Sequence, residues 1–236
     1  MLPNLLLIFF LQTPTVLDGT FSGAQAARGK ALYTTHCGSC HGESLEGVSA
    51  PSLADARFIE RWRESTLDGL YSFVRERMPF GRSPNSASIS DREYLDIVTY
   101  MLQKNGYPAG RVEMTADSVG KVMFVGKNGP QPVPDGSLVV TIGCLSQRDG
   151  TWVVSNSTEP VRTRSETALA AELKAAAEKR LGTLTFRLAD LDAAPDFTPE
   201  MHQGHKMQVK GYLVRQPNSE RINLSSIEMV SAPCVR

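Results

Sequence analysis

The sequence predicts two domains, an all-α unit followed by a mainly β unit whose five strands close a small barrel with one inserted helix. Three observations carry this expectation. Helical spacing and a helix cap occur before residue 110, a Pro/Gly-rich stretch follows at Gly126–Gly136, and segments after it alternate apolar and polar residues at the strand period. The expected boundaries are 1–19 for an export segment, 20–110 for the helical domain, 111–136 for a linker and 137–236 for the β domain. With 236 residues, 41% hydrophobic and 21% charged, the chain has an ordinary globular composition and room for two modules. Its 25 basic and 25 acidic residues cancel, so net charge points to neither nucleic acid nor an acidic partner.

Within the helical domain, Ala27-Arg28-Gly29-Lys30-Ala31-Leu32-Tyr33 spaces its apolar residues along one face, with Gly29 and Tyr33 one turn apart. Ser90-Asp91-Arg92-Glu93 reads as a capping box that opens a helix through Leu102. Asn105-Gly106 and Pro108 stop it. Between these helices lies Cys37-Gly38-Ser39-Cys40-His41, two cysteines three apart with a histidine directly after them. That is the attachment signature of a c-type haem, in which each thiol adds across one vinyl group and the histidine Nε2 binds iron from the proximal side. Zinc is the first alternative, and it needs a second ligand pair of matching spacing, which is missing between Cys40 and Cys144. A thioredoxin-like redox motif is the second, and it needs a βαβ context that this region lacks.

An early haem motif, a late capped helix and loops between them resemble class I cytochromes c. The resemblance implies one covalent haem c, with Gly29 letting the first helix cross close to the last, whose aromatic residue packs beside it. Met78 is the expected distal ligand, because a thioether suits ferrous iron and the Met-Pro step of Glu76-Arg77-Met78-Pro79-Phe80-Gly81 lies in a loop able to bend back. Met101, inside a helical pattern, and Met114, beyond the helix stop, are its competitors. Pro51 matches the family proline whose carbonyl accepts the Nδ1 proton of the proximal histidine, a plain turn proline being the alternative. Arg57, Arg61, Arg63, Arg75, Arg77 and Arg82 form a basic run broken by Glu60, Glu64 and Glu76. Such charge either pairs with haem propionates and an acidic partner or is the wet side of helices.

The resemblance further implies an electron carrier rather than an enzyme, acting with redox partner proteins. Domain order and the tail Asn105–Gly110 resemble cytochrome domains that accept electrons from quinoprotein dehydrogenases, with a terminal oxidase or another cytochrome as acceptor. Two other classes stay open. A vacant sixth position would suit a gas sensor or a peroxidase-like enzyme, and the β domain would otherwise be a glycan-binding or protein-binding module with the haem attached.

Leu5-Leu6-Leu7-Ile8-Phe9-Phe10-Leu11 is an apolar run of signal-peptide type, too short to span a bilayer, although no Lys or Arg precedes it. Export to the bacterial periplasm is expected, with membrane attachment only if the segment stays uncleaved. Cleavage is expected between Thr13 and Gly19, because a cut at the small-residue site Ala24-Gln25-Ala26 would trim the first helix.

In the second domain, Cys144 and Cys234 remain as an even pair in a compartment where disulfides persist, two buried thiols being the alternative. Strands are expected at 137–145, 152–154, 183–188, 206–214 and 221–230, the first two joined by a turn at Arg148-Asp149-Gly150. Their order and spacing resemble an OB-fold. Thr167–Leu181 reads as an inserted amphipathic helix whose Leu169, Leu173 and Ala176 cover the strands. His202 and His205 are expected to be solvated rather than a metal pair. No basic stripe with interleaved aromatics supports nucleic-acid binding, and no nucleophile triad, phosphate loop or carboxylate pair stands out.

Overall fold

The computed structural model describes residues 13–81, 88–217 and 219–234. The apolar run at 5–11 and Arg82 lie outside them. The chain divides into two compact units, Met1–Pro130 and Gln131–Arg236.

The first unit opens with α1 (Gly23–His36), capped by Ser22, whose hydroxyl accepts the Gln25 N–H at 3.1 Å. A one-turn helix α2 (Gly38–His41) follows directly, then α3 (Ala56–Trp62), β1 (Ser65–Thr66) and α4 (Leu67–Arg77). Next is α5 (Asp91–Lys104), with the reciprocal Ser90–Glu93 capping box in place. A short α6 (Ala116–Val119) and β2 (Met123–Phe124) lie within the stretch read as linker. β1 and β2 pair antiparallel, Ser65 against Phe124.

The crossing of α1 over α5 fixes this unit. A Cβ on Gly29 would sit 1.8 Å from the Asp96 carbonyl oxygen, so only glycine permits the backbones to meet there. One turn on, Tyr33 packs against Tyr100 with ring centroids 5.2 Å apart. Across the same seam Arg28 holds the buried Asp96 with two bonds, at 2.9 and 3.2 Å. Tyr94, Leu95, Ile97, Val98, Met101 and Leu102 are all buried, because α5 is surrounded rather than packed on one side. Phe124 joins the same core, edge-on to Phe58 and Tyr107.

The second unit begins with β3 (Leu138–Arg148) and β4 (Thr151–Ser157), joined through Asp149 and Gly150, both with positive φ. This is the two-residue hairpin geometry that matches strand twist. β5 (Val161–Arg162) comes next, then α7 (Ala170–Glu178), β6 (Leu184–Ala189), β7 (Lys206–Gln216) and β8 (Ser219–Ser231). β3, β4, β6, β8 and β7 pair in a closed cycle because β7 returns to β3, and only the β6–β8 pairing is parallel. β7 takes one edge of β3 and β4 the other, so β5 extends the β4 edge beyond Pro160. Val139, Leu145, Val154, Phe186, Val209 and Ile222 fill the interior. The Cys144–Cys234 disulfide is present, with Cα atoms 5.6 Å apart.

Two fold expectations are corrected here. The first unit is not all-α, since it contains the β1–β2 pair, and the described residues of the second form six strands where a five-stranded barrel was expected. Strands of two residues carry no readable alternation, which is why β1, β2 and β5 escape a periodicity argument. The additional strand β5 departs from the five-stranded OB-fold pattern.

The inserted helix also differs in its attachment. Leu169 is exposed, and of the expected stripe only Ala176 is fully buried. Two buried lysines of β7 hold α7 instead. Lys206 Nζ donates to the carbonyls of Ala177 and Lys179 at the C-terminal end, at 2.8 and 2.7 Å. Lys210 Nζ donates to the Thr167 carbonyl and the Glu172 carboxylate, at 2.9 and 2.7 Å.

Replacing Gly29 by alanine is expected to destabilise the first unit by about 2–3 kcal/mol, the upper range for overpacking, in a urea unfolding curve. The double substitution Cys144→Ser/Cys234→Ser opens a loop with a sequence separation of 90. The loop-closure model gives a loss of about 4–5 kcal/mol in the second unit, read by the same assay.

Candidate haem-binding site

α1 ends where the cysteine motif begins. The Cys37 N–H caps α1 on the Tyr33 carbonyl at 2.8 Å, and the His41 N–H bonds back to the Cys37 carbonyl at 3.0 Å. Cys37, Cys40 and His41 therefore occupy one tight turn, at spacings that share a helix face. Both thiols are free; Cys37 is half-buried and Cys40 exposed. Burial pushes the Cys37 thiol up to about 11, with the Cys40 charge adding to the rise. A redox dithiol requires the opposite shift.

The following loop is folded back onto this turn. The Cys40 carbonyl accepts from the N–H groups of Val48, Ser49 and Ala50 at 3.0–3.1 Å, and the His41 carbonyl accepts from the Gly47 N–H at 2.7 Å. Gly47 has φ +85°, and a Cβ there would lie 2.7 Å from the Ser52 nitrogen. The buried Tyr33 hydroxyl donates to the Gly42 carbonyl at 2.8 Å, tying the loop to α1. The loop thereby brings the Pro51 carbonyl to 2.8 Å from His41 Nδ1. A carbonyl can only accept, so Nδ1 carries the proton and Nε2 keeps its lone pair for a metal.

Met78 lies on another element, at the C-terminal cap of α4. Its N–H bonds to the Val74 carbonyl at 3.1 Å, and its carbonyl accepts the Tyr94 hydroxyl of α5 at 2.7 Å. The side chain is partly buried against the first core, whereas Phe80 two residues on is 93% exposed. Met101 and Met114 are buried in that core. Gln25 clamps the Met114 backbone from both sides, accepting its N–H at 2.8 Å and donating to its carbonyl at 3.0 Å.

The expected basic run splits. Arg61 lies over the Trp62 and Phe73 rings, Arg63 pairs with Glu60 at 2.6 Å, and Arg75 covers Tyr71 and pairs with Glu76 and Asp91. Arg57 and Arg77 are exposed. Tyr33, Tyr94 and Gln25 are positioning residues that sequence reasoning missed, because their partners lie at backbone atoms that no side-chain pattern records.

One turn of the mainly helical first unit thus presents two free thiols and a histidine whose Nδ1 faces the Pro51 carbonyl. The family model described as cytochrome c oxidase, cbb3-type, subunit III matches residues 24–101. Cytochrome c-551 of Bacillus subtilis (strain 168) is 30% identical over 86 residues, which is 36% of this chain and 70% of that protein. The crystal structure of the sulfane dehydrogenase SoxCD from Paracoccus pantotrophus aligns at 25% identity and a TM-score of 0.33. It covers 52% of this chain and 66% of that one, just under two thirds. The chain belongs to the cytochrome c family. Membership implies haem c and electron transfer, and it rests on the first unit alone.

Changing Tyr33 to phenylalanine removes the hydroxyl from the Gly42 carbonyl and is expected to cost about 1–2 kcal/mol, measured as a lower urea midpoint of the first unit.

Proposed function

We propose that the first unit is an exported one-electron carrier for a single covalent haem, whose iron His41 and Met78 would hold. The His41–Pro51 bond directly behind the Cys37–Cys40 pair is the observation that carries this reading. Cys37 and Cys40 would hold the haem by adding each S–H across a vinyl C=C, which forms one C–S and one C–H bond and needs no oxidant or leaving group. Bound haem supplies a ferric/ferrous couple. Around it, Pro51 fixes the imidazole plane and makes Nε2 a stronger donor. The Met78 thioether favours the ferrous state and raises the potential. Anchoring of the Met78 backbone by α4 and α5 keeps that ligand in place through both redox states.

Its partners are redox proteins, a dehydrogenase as donor and another cytochrome or a terminal oxidase as acceptor, and the chain itself transforms no substrate. The site of action is the bacterial periplasm, where relatives of this family typically reside. Among the described residues no helix is long and apolar enough to cross a membrane. The Met123 N–H bonds to the Pro14 carbonyl at 2.8 Å and the Val16 N–H to the Met123 carbonyl at 2.9 Å, which ties this segment to β2.

Optical spectra of the oxidised and reduced holoprotein, wild type and Met78→Ala, test the ligation. The expected result is a weak near-infrared sulfur-to-iron band that the substitution abolishes, together with carbon monoxide binding that only the variant shows. A wild type without the band that binds carbon monoxide at once would replace this reading with an open-site sensor or peroxidase-like enzyme.

A further inference from the structure

We propose that His202 and His205, in the second unit, form a two-histidine site for a tetrahedral cation of the zinc class, independent of the haem reading. The 3-10 turn Pro199–His202 and the bond from the His205 N–H to the His202 carbonyl, 3.0 Å, bring both imidazoles to one side of a tight turn. Their Nδ1 atoms stand 3.4 Å apart and their rings are edge-on, at 79°. Phe197 stacks on His202 with centroids 5.2 Å apart and sets that ring's plane.

The separation selects the ligand. Without an ion it is a long N–H···N hydrogen bond, beyond the usual heavy-atom distance of about 3 Å. It matches two nitrogens on one tetrahedral zinc, where bonds of about 2.0–2.1 Å at about 109° place them about 3.3–3.4 Å apart. Octahedral, oxygen-seeking magnesium and calcium do not fit a pair of imidazoles.

The turn is also held before any ion arrives. The Gly204 N–H bonds to the Leu145 carbonyl, the Leu145 N–H to the His205 carbonyl and the Cys234 N–H to the Gly204 carbonyl, at 2.8, 3.0 and 2.8 Å. The disulfide between Cys144 and Cys234 thus braces the strand and the tail that flank the pair. Among the described residues no group of three or more His, Cys, Asp or Glu side chains is placed to hold a metal. The pair would fill two of the four positions, with water or another donor in the others.

Titrating zinc chloride into the haem-loaded full chain tests this by calorimetry. One zinc per chain is expected, with affinity falling by about tenfold or more in His202→Ala and in His205→Ala. It should stay unchanged in His36→Ala, which removes the other histidine left free by haem ligation. Absence of saturable zinc binding, or binding that survives both substitutions, overturns the proposal. Should either variant fold poorly, the wild-type imidazole NMR signals decide: those of His202 and His205 must shift or broaden with zinc, and their invariance equally overturns it.

Discussion

α1 and α5 meet backbone to backbone where Gly29 passes the Asp96 carbonyl, and both halves of the candidate haem site hang from that crossing. From α1, Tyr33 reaches past its own helix end to the Gly42 carbonyl and steadies the turn that carries Cys37, Cys40 and His41. From α5, Tyr94 reaches the Met78 carbonyl, and Asn105 Nδ2 bonds the Leu53 carbonyl at 2.8 Å in the loop beyond Pro51. Separating the helices by one methyl group would therefore move the proximal and distal candidates together. The ion pair of Arg28 with Asp96 and Glu113 lies on the same seam, but the Arg28 side chain is 38% exposed, so close packing rather than charge sets the geometry.

The second unit is held differently. Its inner face is apolar, but the outer face of β7 buries Lys206 and Lys210 and uses them to fasten α7 at both ends. Placing an ammonium on the C-terminal carbonyls of a helix satisfies groups that have no partner within the helix and opposes the negative end of its dipole. Burial lowers the Lys206 pKa from its ordinary value, and the two carbonyl acceptors are what keep the charge tolerable there. Lys210 has a carboxylate partner in Glu172, an arrangement that costs much to break and adds less than its short distance suggests.

Much of this was legible before any coordinates. The Ser90–Glu93 box, the stop at Asn105-Gly106, the Asp149-Gly150 hairpin and the Cys144–Cys234 bridge follow from local chemistry or from counting cysteines, and local rules read well from a sequence. Strand pairs of two residues do not, which is why the first unit was expected to be all-α and β5 was not foreseen. The α7 attachment differs for a related reason: a helical stripe suggests apolar contact and a lysine alternating along a strand suggests solvent, whereas the lysines make the contact. His202 and His205 are expected to be solvated because no carboxylate or cysteine adjoins either in the sequence, and the 3.4 Å approach of their Nδ1 atoms is a contact that spacing does not record.

The central claim, a haem held by thioether bonds at Cys37 and Cys40, is tested most directly by the mass of the exported polypeptide after acid–acetone extraction. The account requires the mass of one haem to stay with the chain, and to be extracted when both cysteines are changed to alanine. Release of the haem from the wild type, or a chain that never carried one, would contradict it.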